Sequence, residues 1–170
     1  MISFEINVTD ADGKLDDLQA LLDDLTPVMN DIGQFLVMST QDRMAEGKSP
    51  DGTPFAPRSP VTLAAYERRK QKPGAHPLWL TGTMRRGIHH AYDRDSVSVG
   101  SGAIQAAVMQ FGAAQGAFGA WMGKDKLGRD HFHHLPWGTI PARPFLGVSP
   151  SDEDGIMGIV TEALEVLLAP

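Results

Sequence analysis

Ile2, Phe4, Ile6 and Val8 alternate with Ser3, Glu5, Asn7 and Thr9, the two-residue period of a half-buried strand over residues 2–9. Asp10 to Gly13 then reads as a turn, with Asp12 placed to cap a helix. From 14 to 46 the period changes. Leu15, Leu18, Leu22, Leu25, Met29, Ile32 and Leu36 recur at alternating spacings of three and four, which puts them on one helical face. Asp16 and Asp17 would sit in the first turn, where the helix dipole favours acid. Pro27 lacks a backbone donor, so the sequence predicts a kink there or a break into two helices. The stripe reads as a face packed on the domain's own sheet or, over about three heptads, as a coiled-coil seam. Gly47 is placed to cap the C-terminal end after Glu46.

Downstream the pattern shortens. Residues 47–60 are rich in proline, and Pro50-Asp51-Gly52 is a turn with a mechanism: proline presets the first φ and glycine accepts a positive one. Ser59-Pro60 can open a helix over 61–72, which ends in the basic cluster Arg68, Arg69, Lys70 and Lys72. That cluster is a solvated face or a contact for an acidic partner or nucleic acid. A loop at 73–77 precedes Leu78-Trp79-Leu80, read as a buried apolar knot, and Thr81 can cap a short turn at 82–86. Residues 88–92 and 97–99 predict a hairpin turned at 93–95, and Gly100-Ser-Gly102 a further turn. A short helix is expected over 103–111, with Ile104, Ala107, Val108 and Phe111 on one side and Gly112 ending it. Residues 112–138 read as a long Gly-rich loop or a hairpin extension. Phe118, Trp121, Met122, Phe132 and Trp137 argue that it orders against something, for instance another copy of the chain. In 139–149, Pro141 and Pro144 bracket Arg143 and hold it on a stiff, extended rail; Phe145, Leu146 and Val148 supply apolar anchors. This strap is an interaction element or an ordinary buried strand with a stiff entry. Ser149-Pro150 then starts a last helix over 151–169. Ile156, Ile159, Val160, Ala163, Leu164 and Leu167 form its apolar face, and Asp152, Glu153 and Asp154 load its first turn.

Composition narrows the class. At 170 residues, 42% hydrophobic and 21% charged, the chain suits one soluble domain, taken as 1–170 with an extended loop at about 112–138. A net charge of -6 does not draw nucleic acid to the whole surface, though a local basic patch can. With no cysteine, disulfide and thiolate chemistry are excluded. No apolar run reaches the roughly 20 residues of a membrane span. The first residues lack the basic and apolar regions of a secretory signal, so an intracellular soluble protein is expected.

Candidate chemistry is sparse. His131, His133 and His134 lie beside Asp130, and on a strand His131 and His133 would share a face that could hold zinc or nickel; a polar loop tip is the other reading. His89 and His90 point to opposite faces of a strand and cannot share one ion. No serine sits in a nucleophile elbow, and no phosphate loop or dinucleotide fingerprint occurs. No catalytic site and no cofactor are expected.

Several stretches in order carry a resemblance. Glu46-Gly47 is followed by Ser49-Pro50-Asp51-Gly52-Thr53-Pro54-Phe55, then Leu78-Trp79-Leu80-Thr81-Gly82-Thr83-Met84 and Val97-Ser-Val-Gly-Ser101. After these come Met109-Gln110-Phe111-Gly112 and Ile140-Pro-Ala-Arg-Pro-Phe-Leu-Gly147. This set, from about Phe35 onward, resembles the phage virion morphogenesis family, the tail completion proteins of Mu-like and P2-like tailed phages. Two departures are Phe55, where that pattern has tryptophan, and Ala106 to Met109, which lack its tyrosine and histidine. The resemblance implies an α+β fold in which a long N-terminal helix and a C-terminal helix pack on a small antiparallel sheet. It implies a non-enzymatic protein of the neck or head-proximal tail end, needed for tail completion and head–tail joining. A tail terminator ring or a portal-side connector is the alternative within the class. Outside it stands a metal- or nucleic-acid-binding module using the histidine loop.

Expected partners are further copies of the chain, about six or twelve in a ring, and the neighbouring terminator, tail tube or connector proteins. No membrane and no sequence-specific nucleic acid are expected, although the exiting genome would pass nearby. The expected place is the virion, after assembly in the host cytoplasm. Pro50, Asp51, Gly52, Phe55, Trp121, Phe132, Trp137, Pro141, Arg143, Pro144 and Phe145 are the candidate interface residues. Arg143 is the expected centre of an intersubunit or core-organising salt bridge, unless it bonds its own chain's carbonyls. Arg143→Ala should then leave a soluble protein that assembles poorly.

Overall fold

The computed structural model describes residues 9–168. The predicted strand at 2–9 lies outside them except for Thr9, which is already helical. The elements in order are α1 (Thr9–Asp23), α2 (Thr26–Glu46), α3 (Pro60–Arg68), α4 (Thr83–Arg86), β1 (Ile88–Tyr92), β2 (Val97–Ser101), α5 (Ala106–Phe111), β3 (Ala120–Lys124), β4 (Asp130–His134) and α6 (Pro150–Leu168). Helices with two small antiparallel sheets make the fold α+β, as expected. Among the described residues, no helix is long and apolar enough to cross a membrane.

The chain's contacts gather into two units. The first comprises the described residues up to Ser39, His89–Val99 and those from Pro150 on. Here the expected long helix is two helices. α1 stops at Asp23, and Asp24 Oδ1 accepts from Thr26 N at 3.0 Å, which starts α2 with Pro27 in its first turn, where no donor is needed. The break resets the helical phase and so splits the leucine stripe. Ile32 is buried, but Leu15 and Leu22 are more than half exposed. The expected turn at 10–13 is also corrected. Gly13 lies inside α1, since a glycine costs a helix only about 1 kcal/mol and does not forbid it. Asp16 and Asp17 therefore fall beyond the first turn, and Asp12 is no cap.

α6 packs on α1, with Ile156, Ile159, Val160, Ala163 and Leu164 half-buried. Its first turn does not simply present acid to solvent. Asp152 is 1% exposed and accepts a hydrogen bond from Ser39 Oγ. Asp152→Ala is expected to cost about 1–3 kcal/mol, because the Ser39 hydroxyl loses this acceptor and a side chain only 1% exposed leaves a void; thermal denaturation of the purified protein would read it. On β1, His90 stacks on Tyr92 with centroids 5.5 Å apart, and its Nε2 meets Asn30 Oδ1 at 3.2 Å.

The second unit comprises Thr40–Ile88 and Gly100–Ser149. Gly47, at φ 75, closes α2 as predicted, and Lys48 N returns to Arg43 O at 3.0 Å. Ser59 caps α3 through Thr62 N at 3.2 Å. α3 ends at Arg68 rather than 72, because Lys70 takes φ 53 and leaves the helix. Arg68, Arg69, Lys70 and Lys72 are all exposed. The 78–80 stretch is not buried. Trp79 is 37% exposed, with the Arg85 guanidinium 5.1 Å from its ring centroid. Gly100 and Ser101 extend β2 instead of turning. α5 is six residues long and buries Ala106, not the predicted apolar side: Ile104 is 99% and Phe111 79% exposed. So short a helix is oriented by what its end grips, and that is the strap.

Candidate functional site

The strap at 139–149 is stitched along its length. Ile140 and Ala113 exchange backbone hydrogen bonds at 2.8 and 2.9 Å, and Arg143 N donates to Met109 O at 2.7 Å. The proline at 144 cannot donate, and beyond it a side chain takes over. Gln110 Oε1 accepts from Phe145 N and Leu146 N, both at 3.0 Å, while its Nε2 donates to Leu146 O at 3.0 Å. One glutamine amide thus stands in for the missing partner strand. Gly112 makes this approach possible. It sits at φ 73, and a Cβ there would fall 2.7 Å from Ile140 O and 2.8 Å from Ala142 N. At the far end Arg43 Nη2 donates to Gly147 O at 2.9 Å.

Arg143 is 7% exposed. Its Nε donates to Ala56 O at 2.7 Å and its Nη2 to Pro57 O at 2.8 Å. These carbonyls of its own chain take the place of the expected salt bridge. The guanidinium acts inside the unit, tying the strap to the proline-rich loop. Burial holds its pKa below the usual arginine range; nearby Arg58 pushes the same way and Tyr66 opposes. Arg58 repeats the device one loop further on, donating to Gly74 O at 2.9 Å, to His76 O, and to Trp79 O at 3.0 Å.

The Pro-Asp-Gly turn has the predicted form. Gly52 takes φ 83, and Asp51 Oδ1 accepts from Thr53 Oγ1 at 2.7 Å and Thr53 N at 3.0 Å. The Thr53 hydroxyl, with its backbone N–H behind it, holds the Asp51 carboxyl below the usual carboxylate range.

Residues 112–138 carry the hairpin extension. β3 and β4 pair in the register Ala120↔His134, Trp121↔His133, Met122↔Phe132, Gly123↔His131 and Lys124↔Asp130. Asp125 Oδ1 caps the turn by accepting from Leu127 N at 2.7 Å and Arg129 N at 2.9 Å. This arm keeps large apolar side chains in the open: Trp121 is 55%, Phe132 56% and Trp137 79% exposed.

The candidate interface residues therefore divide. Phe55, Arg143 and Phe145 are buried within the chain, with Phe145 at 0%. Asp51, Gly52, Trp121, Phe132, Trp137, Pro141 and Pro144 are exposed, and Pro50 is half-buried. His131 and His133 do share a face, but their rings meet edge to face with centroids 5.1 Å apart, and His133 stacks on Trp121 at 4.5 Å. Among the described residues, no three His, Asp or Glu side chains converge to hold a metal ion. Two residues that organise the site, Gln110 and Arg58, carry little local signal. Gln110 shows only as one residue of the Met-Gln-Phe-Gly run at the end of a short helix, with nothing local to mark it as a clamp, and Arg58 as one charge between prolines.

What the geometry defines is a small α+β scaffold whose stiff strap is locked from within and whose apolar arm is open to solvent. The chain belongs to the phage virion morphogenesis family, whose model matches residues 6–165. That family supplies structural and assembly proteins of the phage virion. No curated protein and no solved structure matches the chain.

Proposed function

We propose that this protein is a non-enzymatic structural component of the head-proximal end of the tail, required to complete the tail and join it to the filled head. Within its family it is read with the tail completion proteins of Mu-like and P2-like phages. The observation that supports the reading is the β3–β4 arm. Trp121, Phe132 and Trp137 are each more than half exposed on the isolated chain, and exposed aromatic surface of this kind marks a contact with other protein. The contacts proposed are with further copies around a ring and with neighbouring terminator, tube or connector proteins. Stiff proline-rich elements lose little entropy on docking, which suits a part that must join two large assemblies.

Electron microscopy of lysates from a phage lacking this gene tests the reading. Filled heads beside detached tails of normal length are the expected result. Tails of abnormal length would make the protein a terminator of tail growth instead. Normal infectious particles would overturn an assembly role.

A further inference from the structure

A cavity of about 570 Å³ opens in the second unit beside the strap. Pro60, Leu78, Leu80 and Ile140 give it apolar walls, and Arg58 and Arg143 both line it. Neither arginine meets a carboxylate there, since no Asp or Glu is among the described lining residues. Both have donor capacity left over. Arg58 Nε is buried and has no hydrogen-bond partner among the described residues. Arg143 Nη1 has the Met109 thioether at 3.9 Å, a weak acceptor. The backbone carbonyls described above satisfy some N–H groups but do not neutralise charge. Arg58 lies close enough to disfavour the charge on Arg143, which is 7% exposed, and the pair lines a site short of an anion.

The surroundings decide which anion. A nucleic-acid strand is held by cations spread over several phosphates, whereas here two lie within apolar walls on a chain of net charge -6. A carboxylate borne on an apolar chain matches both features. We propose that this cavity is a docking site for a short segment of a partner polypeptide, which sets an Asp or Glu carboxylate against Arg58 and Arg143 and lays flanking apolar side chains on the walls. The site follows from this unit alone and does not depend on where in the virion the protein acts.

Met84 and Met109 both line the cavity, and Met44 is buried elsewhere in the same unit, so ¹³C-methyl labelling of methionine reports on docking and on folding together. The probes are the blocked tripeptide acetyl-Leu-Glu-Leu-amide, its Gln counterpart and inorganic phosphate. Saturable shifts at Met84 and Met109 are expected with the Glu peptide, and binding about tenfold weaker with the Gln peptide, the worth of a charge-assisted hydrogen bond. Arg58→Gln should bring the Glu peptide down to the level of its Gln counterpart while the Met44 signal stays in place. No saturable shift, or equal binding of the two peptides to the wild-type chain, overturns the proposal without any variant having to fold. Phosphate binding as well as the Glu peptide would leave a bare anion site and overturn peptide docking.

Discussion

Gln110→Ala is expected to lower stability by about 3–4 kcal/mol, because three backbone groups lose their partner at once. The N–H groups of Phe145 and Leu146 and the carbonyl of Leu146 all bond to that one amide at 3.0 Å. Each buried group left unmade costs about 1–3 kcal/mol, and entering water recovers part of the total. Phe145, at 0% exposed, has little room for such water. The loss is a large share of the 5–15 kcal/mol typical of a folded domain. Gln110→Glu should fall between, since it keeps both acceptor bonds but sets an oxygen against the Leu146 carbonyl. Urea denaturation of the three proteins checks the order. A Gln110→Ala midpoint equal to that of the wild type would mean that the strap is held by something other than this clamp.

Arg143→Ala should cost about 2–4 kcal/mol, the sum of hydrogen bonds left unmade and a void in the packing. The loss has two parts. The carbonyls of Ala56 and Pro57 lose their donor, and the volume of a side chain on a residue only 7% exposed is left empty. Arg143→Lys should recover part of this, since an ammonium can reach one carbonyl but cannot present the planar fork that meets both. The expected assembly defect therefore reaches the virion through a displaced strap rather than through a broken intersubunit salt bridge. Thermal denaturation set beside particle yield separates the two routes. An Arg143→Ala protein with native stability and no particles would restore the direct contact.

Local chemistry was readable in the sequence, and the structure agrees with it at particular residues. Pro27 had to end or bend the long helix, Gly47 had to cap α2, Ser59-Pro60 had to open α3, and Gly112 had to close α5. Each of these depends on a residue's own φ, its missing donor or a side chain reaching two or three positions along. The ordered motifs from Pro50 to Gly147 likewise pointed to the family, which the match over 6–165 establishes.

Only the tertiary structure decided which side each residue serves. The leucine stripe lost its single face once α2 restarted its phase at Thr26, and Asp152 turned inward because Ser39 lies across from it. Arg143 became an internal tie, since the carbonyls it needs belong to residues 56 and 57, far away in sequence. Gln110 became the clamp of the strap through partners some 35 residues on. Caps at Gly47, Ser59-Pro60 and Gly112 are settled within a few residues, so the sequence by itself determined those ends. The boundaries at Gly13, Lys70 and Gly100 were settled by the folded chain. Burial and hydrogen-bond partnership are settled by what the folded chain brings alongside, and no local pattern records that.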